Sequence, residues 1–151
     1  VLSLWCVPVL GQEKPAQPEP PKPKKVKLEE LPEAARECVK RNSTGAKIGR
    51  IERIERDGTI RFEAELKTPN GSKDLLVDQD GTLLEVEEEI SLPAVGTTAR
   101  LAIEKAAEGG KVKKVETVKN GEGKLLYYEV DIEVKGKKSE IKISPDGELL
   151  P

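Results

Sequence analysis

The stretch "LPEAARECVKRNSTGAKIGRIERIERDG" (residues 31–58) has a counterpart in "LPAVGTTARLAIEKAAEGGKVKKVETVKNG" (residues 92–121). Both open on Leu-Pro, pass through a helical stretch, reach a glycine and continue as Lys-[Ile/Val]-x-[Lys/Arg]-[Ile/Val]-Glu. The likeness runs on: Phe62-Glu63 matches Tyr128-Glu129, and Asp80-Gly81-x-Leu83-Leu84 matches Asp146-Gly147-x-Leu149-Leu150. Self-similarity at a fixed spacing has to be settled before any motif, because it dictates the architecture in which every motif sits. Pro32 and Pro93 suit a first helical turn, where a missing N–H leaves no bond unmade. Val95, Ala99, Ala102, Ile103 and Ala106 form one apolar stripe at helical spacing. Gly45 and Gly109 fit helix stops.

Strands follow each helix. Asp57-Gly58, Asn70-Gly71, Asp80-Gly81, Asn120-Gly121, Gly136 and Asp146-Gly147 supply the positive φ angles of tight hairpins. Phe62, Ala64 and Leu66 alternate with Arg61, Glu63 and Glu65; Tyr128, Val130, Ile132 and Val134 alternate with Glu129, Asp131 and Glu133. One apolar and one charged face describe an antiparallel sheet covered on one side by a helix. Ile48, Ile51 and Ile54, like Val112, Val115 and Val118, are spaced by three, which a strand accommodates only with a bulge. The expectation is an α+β protein of two tandem repeats, residues 31–90 and 91–151, each one helix packed on a four-stranded antiparallel sheet. A unit of that size has a marginal core. Glu85–Glu89 runs straight into Ser91, so the two units are expected to be tightly joined.

Residues 1–11, "VLSLWCVPVLG", are too short to cross a bilayer, which needs about 20 apolar residues. They fit the h-region of a secretory signal whose start is truncated, with Val9-x-Gly11 as the cleavage site; the alternative is an apolar tail. Cleavage would remove Cys6 and leave Cys38 alone, beside Ala34, Ala35 and Val39, as a packed core thiol. Residues 12–30 read as a disordered Pro/Lys-rich linker. It is a spacer or, through Lys22, Lys24, Lys25 and Lys27, a basic docking segment. Export to the periplasm or the medium is therefore expected, with no stable membrane insertion.

The net charge of −2 favours neither nucleic acid nor an anionic membrane, and histidine is absent, which removes the commonest general base and transition-metal ligand. No Gly-x-Ser-x-Gly elbow, Walker loop or Cys-x-x-Cys pair occurs, so neither enzyme activity nor a cofactor is expected. "DQDGTLLEVEEEI" (78–90) opens like a calcium loop, with Glu89 at position twelve. Thr82 stands at position five, however, and Leu83, Leu84 and Val86 alternate as a strand. A structural turn is expected, with Asp78 and Asp80 as weak metal candidates and calcium as a small effect. Lys111, Lys113 and Lys114 form a basic patch without stacking aromatics, a poor nucleic-acid platform. Asn42-Ser43-Thr44 is a glycosylation sequon.

The order Leu-Pro-helix, "GAKIGRIERIERDG", "RFEAELK", "LLVDQDGTLLEVEEE", and its second copy through "SPDGELL", resembles the PepSY-like domain of exported bacterial proteins over roughly residues 31–150. It is also similar to the tandem helix-plus-four-strand units of beta-lactamase inhibitory proteins. The resemblance implies a non-catalytic binding module that grips a partner with the outer sheet faces. It implies a secreted or envelope protein, such as a peptidase, as that partner. The face so implicated carries Arg61, Glu63, Glu65, Tyr127, Glu129, Asp131 and Glu133. Once residues 1–11 are removed, Phe62, Tyr127 and Tyr128 are the aromatics, and Phe62 and Tyr128 belong to the core. Tyr127 is thus the one candidate anchor, so weak, salt-sensitive binding by a monomer is expected. A different class is an acidic structural or weakly calcium-binding envelope protein with no specific partner, motivated by Glu85, Glu87, Glu88 and Glu89.

Overall fold

The computed structural model describes residues 21–151. The expected signal segment, with Cys6, and the first part of the expected linker lie outside the described residues. The strands are β1 (Lys24–Val26), β2 (Lys47–Arg56), β3 (Thr59–Thr68), β4 (Gly71–Asp78), β5 (Leu83–Glu89), β6 (Gly110–Asn120), β7 (Leu125–Val134), β8 (Lys137–Ile143) and β9 (Leu149–Leu150). Helix α1 (Glu33–Asn42) precedes β2 and helix α2 (Thr97–Ala106) precedes β6. All nine strands form one antiparallel sheet in sequence order.

This corrects the expected fold class. Residues 21–151 are mostly β, with one continuous sheet and two short helices, not two units each with its own four-stranded sheet. The overturning feature is the β5–β6 ladder, in which Glu85 pairs with Asn120 and Glu89 with Glu116. Separate sheets would have left the backbone donors and acceptors of β5 and β6 as open edges; pairing the two strands satisfies them. The expected linker also ends earlier than residue 30. Lys24–Val26 pair with Ile51–Arg53 of β2, and Leu28–Glu30 form a 3-10 turn.

The two helices lie on one side of the sheet over two separate clusters. Leu31, Ala35, Cys38 and Val39 pack on Ile51, Phe62, Ala64, Leu66, Leu75 and Val77. Val95, Ala99, Ile103 and Ala107 pack on Val115, Tyr128, Val130, Ile132 and Ile143. Cys38 is a buried free thiol. The helical stripe differs from expectation at its ends: Val95 sits just after the 3-10 turn Leu92–Ala94, Ala106 is exposed, and Ala107 is buried instead. Between the clusters the helix side is polar. Lys119 Nζ lies 3.0 Å from Glu88 Oε2, and Lys73 Nζ lies 3.9 Å from Glu88 Oε1.

The residues spaced by three resolve as bulges, with register shifts between Ile48 and Ile51 and between Val112 and Lys114. Each bulge keeps the first two apolar residues on the helix side. The third then faces the other way: Ile54 pairs with Arg61, and Val118 lies between Glu87 and Tyr127.

Candidate functional site

The face away from the helices contains a cavity of about 690 Å³ whose lining runs from Ile54 on β2 to Glu140 on β8. A lining that spans so many neighbouring strands requires the sheet to curve around it. Arg61, Glu63, Asp74, Glu85, Glu87 and Glu129 all contribute to the wall, with Leu76 among them. Carboxylates dominate. Such a wall does not suit the mostly apolar pocket that drug-sized ligands require.

All seven residues expected to meet a partner lie on strands of this sheet, at positions alternating with the core. Arg61, Glu63 and Glu129 line the cavity; Glu65, Tyr127, Asp131 and Glu133 are not part of its wall. Most are already engaged. Glu65 lies 3.8 Å from Arg50, Glu133 3.8 Å from Lys113, and Glu129 3.5 Å from Lys142. Tyr127 is half-buried rather than freely exposed: the Lys142 ammonium stands 5.0 Å from its ring centroid, and its hydroxyl donates to Glu85 at 3.5 Å. Burial, followed by the Glu85 charge, pushes the Tyr127 hydroxyl above its ordinary range. Burial and Glu140 likewise push the Glu129 carboxyl up, against the opposing pull of Lys142.

The centre of the face was not foreseen as a unit. Asp74 on β4 pairs directly with Glu87 on β5, and Glu89, two residues on, pairs with Glu116 on β6. One oxygen each from Asp74, Glu87 and Glu116 converges within 4.8 Å. Among the described residues this is the one group whose carboxylates are close enough to hold a cation. Asp74 Oδ1 is buried and has no hydrogen-bond partner among the described residues. Lys114 Nζ lies 2.7 Å from Glu116, which is 7% exposed. Glu85, Glu87 and Glu89 alternate in the sequence, which is a signal for this face. Asp74 and Glu116 carry no such mark.

Asp78 and Asp80, the weak metal candidates, have a different neighbourhood. Asp78 Oδ1 accepts the Gln79 amide at 2.6 Å and Asp80 Oδ1 accepts the Thr82 amide at 3.0 Å. The Thr82 hydrogen bonds hold the Asp80 carboxyl below its usual range. Both carboxylates therefore shape the turn before β5. Asp78→Asn with Asp80→Asn is expected to lower the melting temperature by the same few degrees with and without millimolar calcium. A loss seen only with calcium in a thermal scan would instead make the turn a cation loop.

Two smaller readings change. Lys111 and Lys114 pair with Glu133 and Asp131 on the helix-free face, where Lys113 lies 3.8 Å from Glu133 and Lys114 2.7 Å from Glu116, so acidic side chains offset the basic run. The Asn42 side-chain amide donates to the Cys38 carbonyl at 2.9 Å, which ties the sequon's asparagine into the end of α1.

No protein-family model matches the chain, and no curated protein matches it in sequence. Solved structures do. A protein from Bacteroides eggerthii described as periplasmic superposes with a TM-score of 0.63 at 18% identity, covering 80% of this chain and 86% of its own. A BLIP-like protein from Bacteroides fragilis gives 0.58 at 21% identity, with coverages of 80% and 84%. A DUF2874 family protein from Bacteroides ovatus gives 0.62 at 16% identity, with coverages of 80% and 85%. At these identities the likeness concerns the fold: the chain has a BLIP-like fold. Among the described residues, no helix is long and apolar enough to cross a membrane.

Proposed function

We propose that this chain is a non-catalytic binding module of PepSY-like type, acting in the periplasm or secreted, whose curved acidic sheet face receives a basic surface of a partner protein. A peptidase held in check is the partner class we favour. The observation that carries this is the cavity on the helix-free face, walled by carboxylates from strands far apart in sequence. The apolar residues of the other face are covered by α1 and α2, which leaves this face as the surface for a partner. The BLIP-like fold and the periplasmic description of one neighbour support the reading.

Acidic walls steer a basic partner and raise its association rate more than its affinity. Tyr127 is the aromatic nearest that role, and loss of a true anchor costs at least about 2 kcal/mol, roughly 30-fold in Kd. The test is capture of partners from a periplasmic fraction, then titration of the captured protein at low and high salt. Wild type is expected to retain a basic protein that salt releases. Glu87→Lys with Glu129→Lys should abolish binding, and Tyr127→Ala should weaken it, with circular dichroism unchanged. Retention by the doubly reversed face, together with loss on replacing Lys22, Lys24, Lys25 and Lys27, would move the docking element to the N-terminal basic segment.

A further inference from the structure

The strand register forces three carboxylates together with too few cations to neutralise them. Asp74, Glu87 and Glu116 each bring an oxygen within 4.8 Å of the others. The ammonium inside this group is that of Lys114, and it is held by Glu116 at 2.7 Å. Asp74 and Glu87 are thus opposed across neighbouring strands, and among the described residues neither forms an ion pair. One Asp74 oxygen is also shut off from water and has no partner among the described residues. Two carboxylates that share a site cannot both ionise at ordinary cost, and one proton taken up by the pair relieves that cost.

The surroundings strengthen this. At Asp74, Glu116 on β6 adds negative charge first, then Glu63 and Glu65 on β3, and Lys114 on β6 opposes them. Around Glu87, Glu129 on β7, Glu116 on β6 and Glu85 on β5 all add negative charge.

We propose that Asp74 and Glu87 hold one shared proton near neutral pH, which makes the acidic face a proton-responsive surface. In support, burial and these neighbours push the Asp74 carboxyl up to about 6 and the Glu87 carboxyl up to about 7. The pair titrates as a unit, so its midpoints belong to both residues. The sign for stability follows. Both groups bind a proton more tightly folded than unfolded, so their contribution is full below the ordinary carboxylate value of about 4. It is lost as pH rises through about 6 to 7. A basic partner would favour the deprotonated pair, so its affinity should rise over the same window; that consequence rests on the function proposed above.

The experiment is carbon-13 NMR titration of side-chain carboxyls in the whole chain, with EDTA present so that no trapped cation replaces the proton. It uses no partner, so its failure and that of the binding function are separable. One midpoint of the pair is expected near neutrality, and Asp74→Asn should lower the Glu87 midpoint by about one pH unit, the size of a close carboxylate's effect. Glu87→Gln should flatten the decline in melting temperature between about pH 4 and pH 7, the window set by these carboxyls. Both carboxyls titrating near the ordinary value of about 4 would overturn the proposal. So would a Glu87 midpoint that Asp74→Asn leaves in place.

Discussion

Gly121→Ala is expected to destabilise the protein by about 3 kcal/mol or more, the range of substitutions that force backbone apart. A Cβ on residue 121 would lie 1.8 Å from the Leu83 carbonyl oxygen and 2.8 Å from its carbon. These are backbone atoms at the start of β5, and they cannot rotate away as a side-chain tip could. The Gly121 amide also donates to the Leu84 carbonyl at 3.0 Å, which fixes the approach. Relief therefore requires β5 to move away from β6 at the ladder that unites the sheet. Gly123→Ala supplies the control. Gly123 has φ +84°, but a Cβ there would meet nothing within 4 Å, so only the left-handed backbone is penalised, by about 1–2 kcal/mol. Chemical denaturation of both variants tests this. Equal losses would show that conformational freedom, not close approach, is what Gly121 supplies.

That glycine shows where a sequence informs and where it stops. Asn120-Gly121 has the letters of a tight hairpin turn, yet Gly121 does not take a positive φ; Gly123 does, and Asn120 Oδ1 accepts the Glu122 and Lys124 amides. Asp57-Gly58 behaves as its letters imply, with φ of 51° and 73°. Local periodicity also placed Phe62 and Tyr128 on the buried side, where they are 4% and 7% exposed. Alternation within a strand tells which residues share a face, because it depends only on the pleat. It does not tell which strands become neighbours. Asp74, Glu87 and Glu116 meet only because β4, β5 and β6 are consecutive in one sheet. An expectation of two separate sheets puts an edge between Glu87 and Glu116, so the central cluster could not be foreseen. The acidic run in β5 was visible, but as a run of charge rather than as one wall of a cavity.

Dividing the chain after residue 90 is expected to abolish folding of both parts, and the intact protein is expected to melt in one transition. The two apolar clusters under the helices are separate, which on its own would permit two independent units. The junction argues otherwise. Five positions of β5 pair with β6, and the Ile90 amide donates to the Val115 carbonyl at 2.9 Å. At about 1 kcal/mol per hydrogen bond, losing the ladder costs roughly 5 kcal/mol, comparable with the whole stability of about 5–15 kcal/mol. Ile90 itself packs against the second cluster, so the cut removes a core side chain from the part that needs it. Val118 is fully buried on the opposite face and would face water once β5 is gone. Each part would also present a long unpaired strand, β5 or β6, as a template for aggregation. Circular dichroism and sedimentation of residues 21–90 and 91–151, separately and mixed, provide the check, with calorimetry on the intact chain. Unstructured or aggregated parts that recover sheet signal on mixing are expected. A monomeric part that melts cooperatively near the temperature of the whole protein would show that the ladder joins two finished units and does not complete them.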